Sequence, residues 1–251
     1  MLIKTATAQD GCDVIGGVEY DGSPETGKDL GLLAGIEPLS MQAGTDTEAL
    51  FAQADVVVDF TLPMATSKHV ALAANNKTAL VLGTTGITKE IAEEIEAASK
   101  KTAIVWTGNY SLGVNLLSIL VEQAASALGD DFDIDILEMH HRHKIDAPSG
   151  TALLLGKAAA EGRNVDFDEV SCLSREGQTG ARPRGEIGFA TLRGGDVTGE
   201  HTVMFAADGE RIELTHKASN REVFARGAVA AAKWVHGKEP GLYNMKDVLG
   251  L

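Results

Sequence analysis

The sequence predicts an α/β fold in two parts, and three observations carry that prediction. Four short apolar segments rich in β-branched residues alternate with helical segments through the first 110 residues. Beyond Asn109 the strand segments become half-polar and are separated by glycine-rich turns. The chain of 251 residues is also long enough for two modest domains at roughly 100–200 residues each.

In order, residues 1–9 read as a helix with no cap. Val14–Glu19 reads as a short apolar strand, and Thr45–Ala54 as a helix with Asp46 or Thr47 as its cap. Asp55–Phe60 is a strand, Met64–Asn75 a helix, Ala79–Gly83 a strand, Thr88–Lys100 an amphipathic helix and Ala103–Trp106 a strand. Continuously apolar strands between such helices are expected of a parallel sheet covered on both faces. Leu116–Leu128 is helical, whereas Phe132–Glu138 alternates polar and apolar residues as a half-buried strand does. A helix over Thr151–Glu161 follows, then strands over Glu186–Arg193, His201–Phe205 and Glu210–His216, and a last helix over Arg221–Val235. The pattern predicts a first domain over 1–110 completed by 219–251, and a second, α+β domain with a mixed sheet over 111–218.

Composition excludes some functions. With 22 Lys and Arg against 36 Asp and Glu, the net charge is −14. A general nucleic-acid or anionic-membrane binder needs a cationic surplus, so neither partner is expected. Cys12 and Cys172 form no disulfide framework, and a reduced, cytoplasmic setting follows. No apolar run reaches the roughly 18 residues of a membrane-spanning helix.

Chemistry concentrates in Glu138–Thr151, where three of the seven histidines (His140, His141, His143) lie beside Arg142 and Lys144. Pro148-Ser149-Gly150-Thr151 then opens a helix, whose free N–H groups suit a carboxylate or phosphate. Imidazoles exchange protons near neutral pH, so an anionic small molecule receiving a proton fits the segment. Two plainer readings stand beside this one: Ser149 as a simple N-cap, and the basic residues as a solvated turn. A metal site is disfavoured, because a strand turns His140 and His141 to opposite faces and no cysteine lies near. Gly83-Thr84-Thr85-Gly86 and Thr107-Gly108-Asn109-Tyr110 both leave strands at the edge where α/β sheets bind ligands, though a tight turn explains the first equally. Glu19 ends a strand segment, where such folds set an acid on ribose hydroxyls.

Together these residues resemble the 4-hydroxy-tetrahydrodipicolinate (dihydrodipicolinate) reductase family of bacterial lysine and diaminopimelate biosynthesis. The most specific stretch is Glu138-x-His140-x-x-x-Lys144-x-Asp146-x-Pro148-Ser149-Gly150-Thr151-Ala152. Supporting stretches are Val58-Asp59-Phe60-Thr61, Gly83–Gly86, Asn109-Tyr110-Ser111-x-Gly113-Val114-Asn115, Ser174-Arg175-Glu176-Gly177-x-Thr179-Gly180, Ile187–Thr191, Gly199–Thr202 and Thr215–Ser219. The resemblance implies a Rossmann-like dinucleotide-binding domain, a substrate and oligomerisation domain, and a homotetramer. It implies NAD(P)H-dependent hydride transfer to C4 of the substrate ring, with His140 and Lys144 as proton-transfer groups. His141, Gly150 and Thr151 would bind the dicarboxylate. Glu19, Tyr20, Gly83, Thr84, Thr85, Thr107, Gly108, Asn109 and Tyr110 would bind NADH or NADPH.

Two departures from the family pattern bear on the cofactor. The family begins with a strand, a G-x-x-G-x-x-G loop and the start of a helix, roughly twenty residues, and this chain starts within that helix. The expectation is a start codon set too far downstream; the alternative is a truncated, catalytically impaired oligomer that binds ligand without turnover. Tyr20 stands where some members carry an arginine for the 2′-phosphate, so NADH is expected to compete better, while Lys28, the nearest later cation, offers partial compensation and leaves the preference between NADH and NADPH open.

Overall fold

The computed structural model describes residues 1–251 and divides them into two compact units, Met1–Leu112 with Glu222–Leu251, and Gly113–Arg221. In the first unit, helix α1 (Leu2–Thr7) is followed by α2 (Leu30–Ala34), capped by Asp29, and α3 (Thr47–Gln53), capped by Asp46. Strand β1 (Val56–Asp59), helix α4 (Pro63–Asn76), strand β2 (Ala79–Leu82), helix α5 (Lys89–Ser99) and strand β3 (Ala103–Trp106) then alternate as expected. Proline at the first position of α4 and the Thr88 hydroxyl before α5 satisfy or remove orphan donors at those helix starts.

The sheet is parallel, in the order β1-β2-β3-β9. Leu80, Leu82 and Ile104 turn to one face, against Phe51, Val70, Ala73 and Ile95. Val81 and Val105 turn to the other, against Ala228, Ala231 and Val235. Both faces are covered, which is why these strands lack the alternation of a half-exposed sheet.

Val14–Glu19, expected to be a strand, is not one. A single bridge, Val18 to Gly44, joins it to the rest. Glu19 N–H donates to Gly44 at 2.8 Å and Gly44 N–H to Gly17 at 3.0 Å, and no ladder extends beyond. Its apolar pattern is met by packing instead: Gly16 and Gly17 lie against the Leu50 and Leu30 side chains.

The second unit opens with α6 (Leu112–Leu128) and β4 (Asp133–His140), then α7 (Gly150–Arg163), α8 (Phe167–Val170) and the two-residue β5 (Ser171–Cys172). Three long strands follow: β6 (Ile187–Arg193), β7 (Gly199–Ala207) and β8 (Glu210–Ala218). The sheet is mixed, in the order β5-β6-β4-β7-β8, with β4 parallel to β6 and antiparallel to β7. Ile134 and Ile136 of β4, Phe189, Val203 and Phe205 bury against Leu155 and Ala159 of α7 and Leu117 and Val121 of α6. Contrary to the sequence reading, the stretch Leu112–Asp131 is long and apolar enough to cross a membrane, yet one side of it supplies this core. Leu116 and Leu120 lie on its exposed side.

The first unit closes with α9 (Glu222–Val235), β9 (Gly241–Tyr243) and α10 (Met245–Leu249). The last two were not expected from sequence, being only three and five residues long.

Candidate active site

Strand β4 changes character along one face. Its inward residues are Ile134, Ile136, Glu138 and His140, so the row that begins as hydrophobic core ends as a carboxylate and an imidazole. Glu138 is fully buried. Arg193 grips it with two N–H groups at 2.8 Å each, one to each carboxylate oxygen. His140 Nδ1 meets Oε2 at 2.6 Å, and the Ser149 N–H donates to Oε1 at 3.0 Å. Burial alone would raise this carboxyl, but the arginine fork, His140 and the Ser149 N–H hold it below the ordinary glutamate value.

Neighbouring strands complete the row by register. Thr191 of β6 and His201 of β7 stand level with Glu138, and His216 of β8 level with His201. His201 is 3% exposed, stacks edge-on to His140 at 5.1 Å and meets Ser149 Oγ at 3.0 Å. Burial, then the nearby His140, pushes His201 down to about 4, so it is neutral at pH 7. The free imidazole titrates near 6.5, so the unfolded chain takes up this proton first as pH falls. The fold's full stability is therefore present above about pH 6.5 and declines towards pH 4. The loss from this residue is on the order of 3 kcal/mol. We expect His201→Gln to flatten that slope in urea unfolding followed between pH 7 and pH 4.

Ser149 also caps α7, its hydroxyl accepting from the Ala152 N–H at 3.1 Å. Gly150 and Thr151 are the first residues of that fourteen-residue helix, and Gly150 opens onto free space. Lys144 lies in the connecting loop and pairs with Asp146 at 2.7 Å, which holds Asp146 below the usual carboxylate range. A cavity of about 720 Å³ beside the loop is lined by His141, Arg142, His143, Thr198, Asp196 and Arg221. The Arg221 guanidinium approaches His141 Nε2 at 3.5 Å, the outer limit of a hydrogen bond. Within this acidic chain the segment brings Arg142 and Lys144 into the stretch that leads to a helix N-terminus, an arrangement suited to a small anion.

In the first unit, β1, β2 and β3 end level with one another at Asp59, Leu82 and Trp106. The Gly83–Gly86 and Thr107–Tyr110 turns therefore leave from one edge of the sheet. Thr85 and Gly108 are exposed there, while Thr84 is buried, its hydroxyl donating to the Thr61 carbonyl at 3.2 Å. Asn109 anchors its own turn through the Ser111 N–H at 2.8 Å. Glu19 and Tyr20 are exposed, and the Ser23 hydroxyl donates to Glu19 at 3.3 Å. Lys28 pairs with Glu25 at 3.1 Å.

Tyr110 differs from expectation in its side chain. Its ring is 1% exposed and its hydroxyl donates to the Leu82 and Val105 carbonyls at 3.0 and 2.9 Å. Burial pushes the phenol far up. The side chain thus fastens the sheet, and only the Tyr110 backbone stands at the edge.

Sequence reasoning gave no role to Glu138, Arg193, His201 or the Asp59–His69 pair, which sits 2.8 Å apart at the end of β1. The period-two spacing of Glu138 and His140 carried the only available signal; the others are joined through sheet register and tertiary packing.

Comparison with known proteins gives consistent matches. The model of "dihydrodipicolinate reductase, N-terminus" matches residues 1–110 and that of "dihydrodipicolinate reductase, C-terminus" residues 113–249. A 4-hydroxy-tetrahydrodipicolinate reductase of Afipia carboxidovorans is 55% identical over 250 residues, covering 100% of this chain and 92% of its own. One from Brucella abortus is 54% identical over 251 residues, covering 100% and 94%. Among solved structures, the dipicolinate-bound dihydrodipicolinate reductase of Paenisporosarcina sp. TG-14 superposes with a TM-score of 0.77 at 22% identity. It covers 97% of this chain and 91% of that one, and at this identity it speaks for the fold.

Proposed function

The chain belongs to the dihydrodipicolinate reductase family, and from that premise we propose that it reduces 4-hydroxy-tetrahydrodipicolinate to tetrahydrodipicolinate in lysine and diaminopimelate biosynthesis. It is a nicotinamide-dependent oxidoreductase with a Rossmann-like first unit. The observation that carries the site assignment is the buried Glu138–His140 pair, whose carboxylate also receives the Ser149 N–H at the start of α7.

The residues present fit a dinucleotide. An exposed carboxylate, Glu19, suits a ribose diol, and the exposed Thr85 and Gly108, at the level ends of three parallel strands, suit the nicotinamide half. When bound, the nicotinamide supplies a hydride. Replacing the C4 hydroxyl by hydrogen balances as one hydride taken up and one hydroxide lost, which a proton converts to water. His140 and Lys144 are the groups proposed to hold and deliver that proton. The N–H groups of Gly150 and Thr151 orient one carboxylate of the dianion, and His141 binds the other. Single-wavelength loss of reduced nicotinamide on adding 4-hydroxy-tetrahydrodipicolinate tests the activity, and turnover no faster than the buffer blank would overturn it.

NADH is the proposed better cofactor, since Tyr20 offers no charge and Lys28 is already paired with Glu25. A fluorescence titration of the 251-residue chain should give an NADH Kd below about 10 μM, or roughly −7 kcal/mol. Tyr20→Arg should tighten NADPH about tenfold, the worth of one charge-assisted bond, and leave NADH within about twofold. We also propose a cytoplasmic homotetramer. The face of the mixed sheet opposite α7, carrying Leu137, Ala190, Leu192 and Met204, is covered by no helix of its own unit and supports that reading.

A further inference from the structure

We propose that Glu138 and Arg193 form a positioning pair that fixes the ring orientation and tautomer of His140. The pair leaves Nε2 as the nitrogen that exchanges the proton, and the same carboxylate aligns the α7 N-terminus with that ring. The inference rests on the reading of His140 as a proton-transfer group and deepens it. Neither Glu138 nor Arg193 needs to touch substrate for this.

The geometry is closed on every side. Glu138 Oε2 takes His140 Nδ1 at 2.6 Å, so the neutral imidazole carries its proton on Nδ1 and presents a bare Nε2. Nε2 looks toward Gly199 of β7, where a Cβ would come within 3.0 Å of it. The absent side chain keeps that nitrogen clear. The Arg193 fork prevents the carboxylate from turning away, and its second nitrogen also donates to the Asp146 carbonyl at 2.6 Å. Arg193 therefore ties β6 both to the carboxylate and to the loop that carries Lys144. The other oxygen receives the Ser149 N–H at 3.0 Å, so imidazole and helix start hang from one group.

The charged and titratable groups facing His140 come from each element around it. They are Glu138 on its own strand, Arg193 on β6, His201 on β7 with His216 beyond it on β8, and Lys144 and Asp146 from the loop. Burial lowers the His140 midpoint, Glu138 opposes that, and Lys144 and Arg193 reinforce it. Removing one member of the pair at a time therefore moves His140 in opposite directions.

The test is a nitrogen-15 NMR titration of the histidine rings in the full chain, with His140→Gln identifying the His140 signals. In Glu138→Gln the amide oxygen stays with Arg193 and the amide nitrogen faces Nδ1. His140 should then switch to the Nε2-protonated tautomer, and its midpoint should fall by about one pH unit or more. In Arg193→Met the tautomer should stay and the midpoint should rise. For Glu138→Gln, kcat should fall on the order of 10²-fold with KM changed by less than about threefold.

An unchanged tautomer and midpoint in Glu138→Gln overturns the proposal. If that variant does not fold, a midpoint in Arg193→Met that fails to rise does so. A switched tautomer with undiminished kcat also overturns it, and His140→Gln tells which premise failed. Full activity in His140→Gln means the reading of His140 was wrong, whereas lost activity there means the pair alone was.

Discussion

Lys144→Ala is expected to lower kcat on the order of 10²- to 10³-fold while the Kd for NADH stays within about twofold, the range in which a positioned proton donor contributes. The expectation follows from placement. Lys144 sits four residues past the end of β4 in the same unit as His140, held at 2.7 Å by Asp146 and only partly exposed. Asp146 is held in turn through its carbonyl by Arg193. The ammonium is thus tied to Glu138 through one chain of contacts, Asp146 and then Arg193. A cofactor ligand would behave in the opposite way, losing NADH affinity with little change in kcat. Parallel measurement of single-turnover rate and NADH fluorescence separates the two, and collapse of NADH binding with kcat intact would remove Lys144 from the proton step.

Gly227→Ala is expected to cost about 3 kcal/mol or more in stability, which lowers Tm by roughly 6–12 °C. Helix α9 passes so close to the Tyr110 carbonyl that a Cβ at 227 would lie 1.6 Å from its oxygen. That oxygen is backbone and cannot rotate aside, unlike the end of a flexible side chain. The buried Tyr110 ring, bonded to two strand carbonyls, holds the obstructing segment in place. Gly108→Ala is the control: a Cβ there meets nothing within 4 Å, so its Tm should stay near that of the parent. Thermal unfolding of both variants by circular dichroism decides the matter, and equal midpoints would show that α9 can move outward freely.

What could be read from sequence depended on how local each signal was. The segments 55–60, 79–83 and 103–106 declare themselves because strands buried on both faces must be continuously apolar. Strand β9 does not, since three residues behind Pro240 make no pattern, and only pairing with β3 reveals it. Val14–Glu19 carries the composition of a strand without the partners that would make it one. At the site, the chemistry of Glu138–Thr151 was visible because the groups lie together in the chain. Arg193 was not, because its link to Glu138 spans 55 positions and exists only through the β4–β6 register. His201 was hidden in the same way, brought level with Glu138 by β7.

The face of β4 that runs from Ile134 through Ile136 to Glu138 and His140 has a consequence for motion. The strand lies at the centre of its sheet, with pairing on both sides. Local opening events begin at frayed ends and thinly packed loops, and central strands open last, together with the core. His140 is the strand's last residue, paired with Arg193 of β6 but past the final β7 pair, so its imidazole is steadied by Glu138 two residues deeper in the strand. The loop that bears Lys144 is tied to this strand through Asp146 and Arg193. Both groups proposed for proton transfer therefore hang from the buried Glu138 carboxylate, and through it from the strand that opens last.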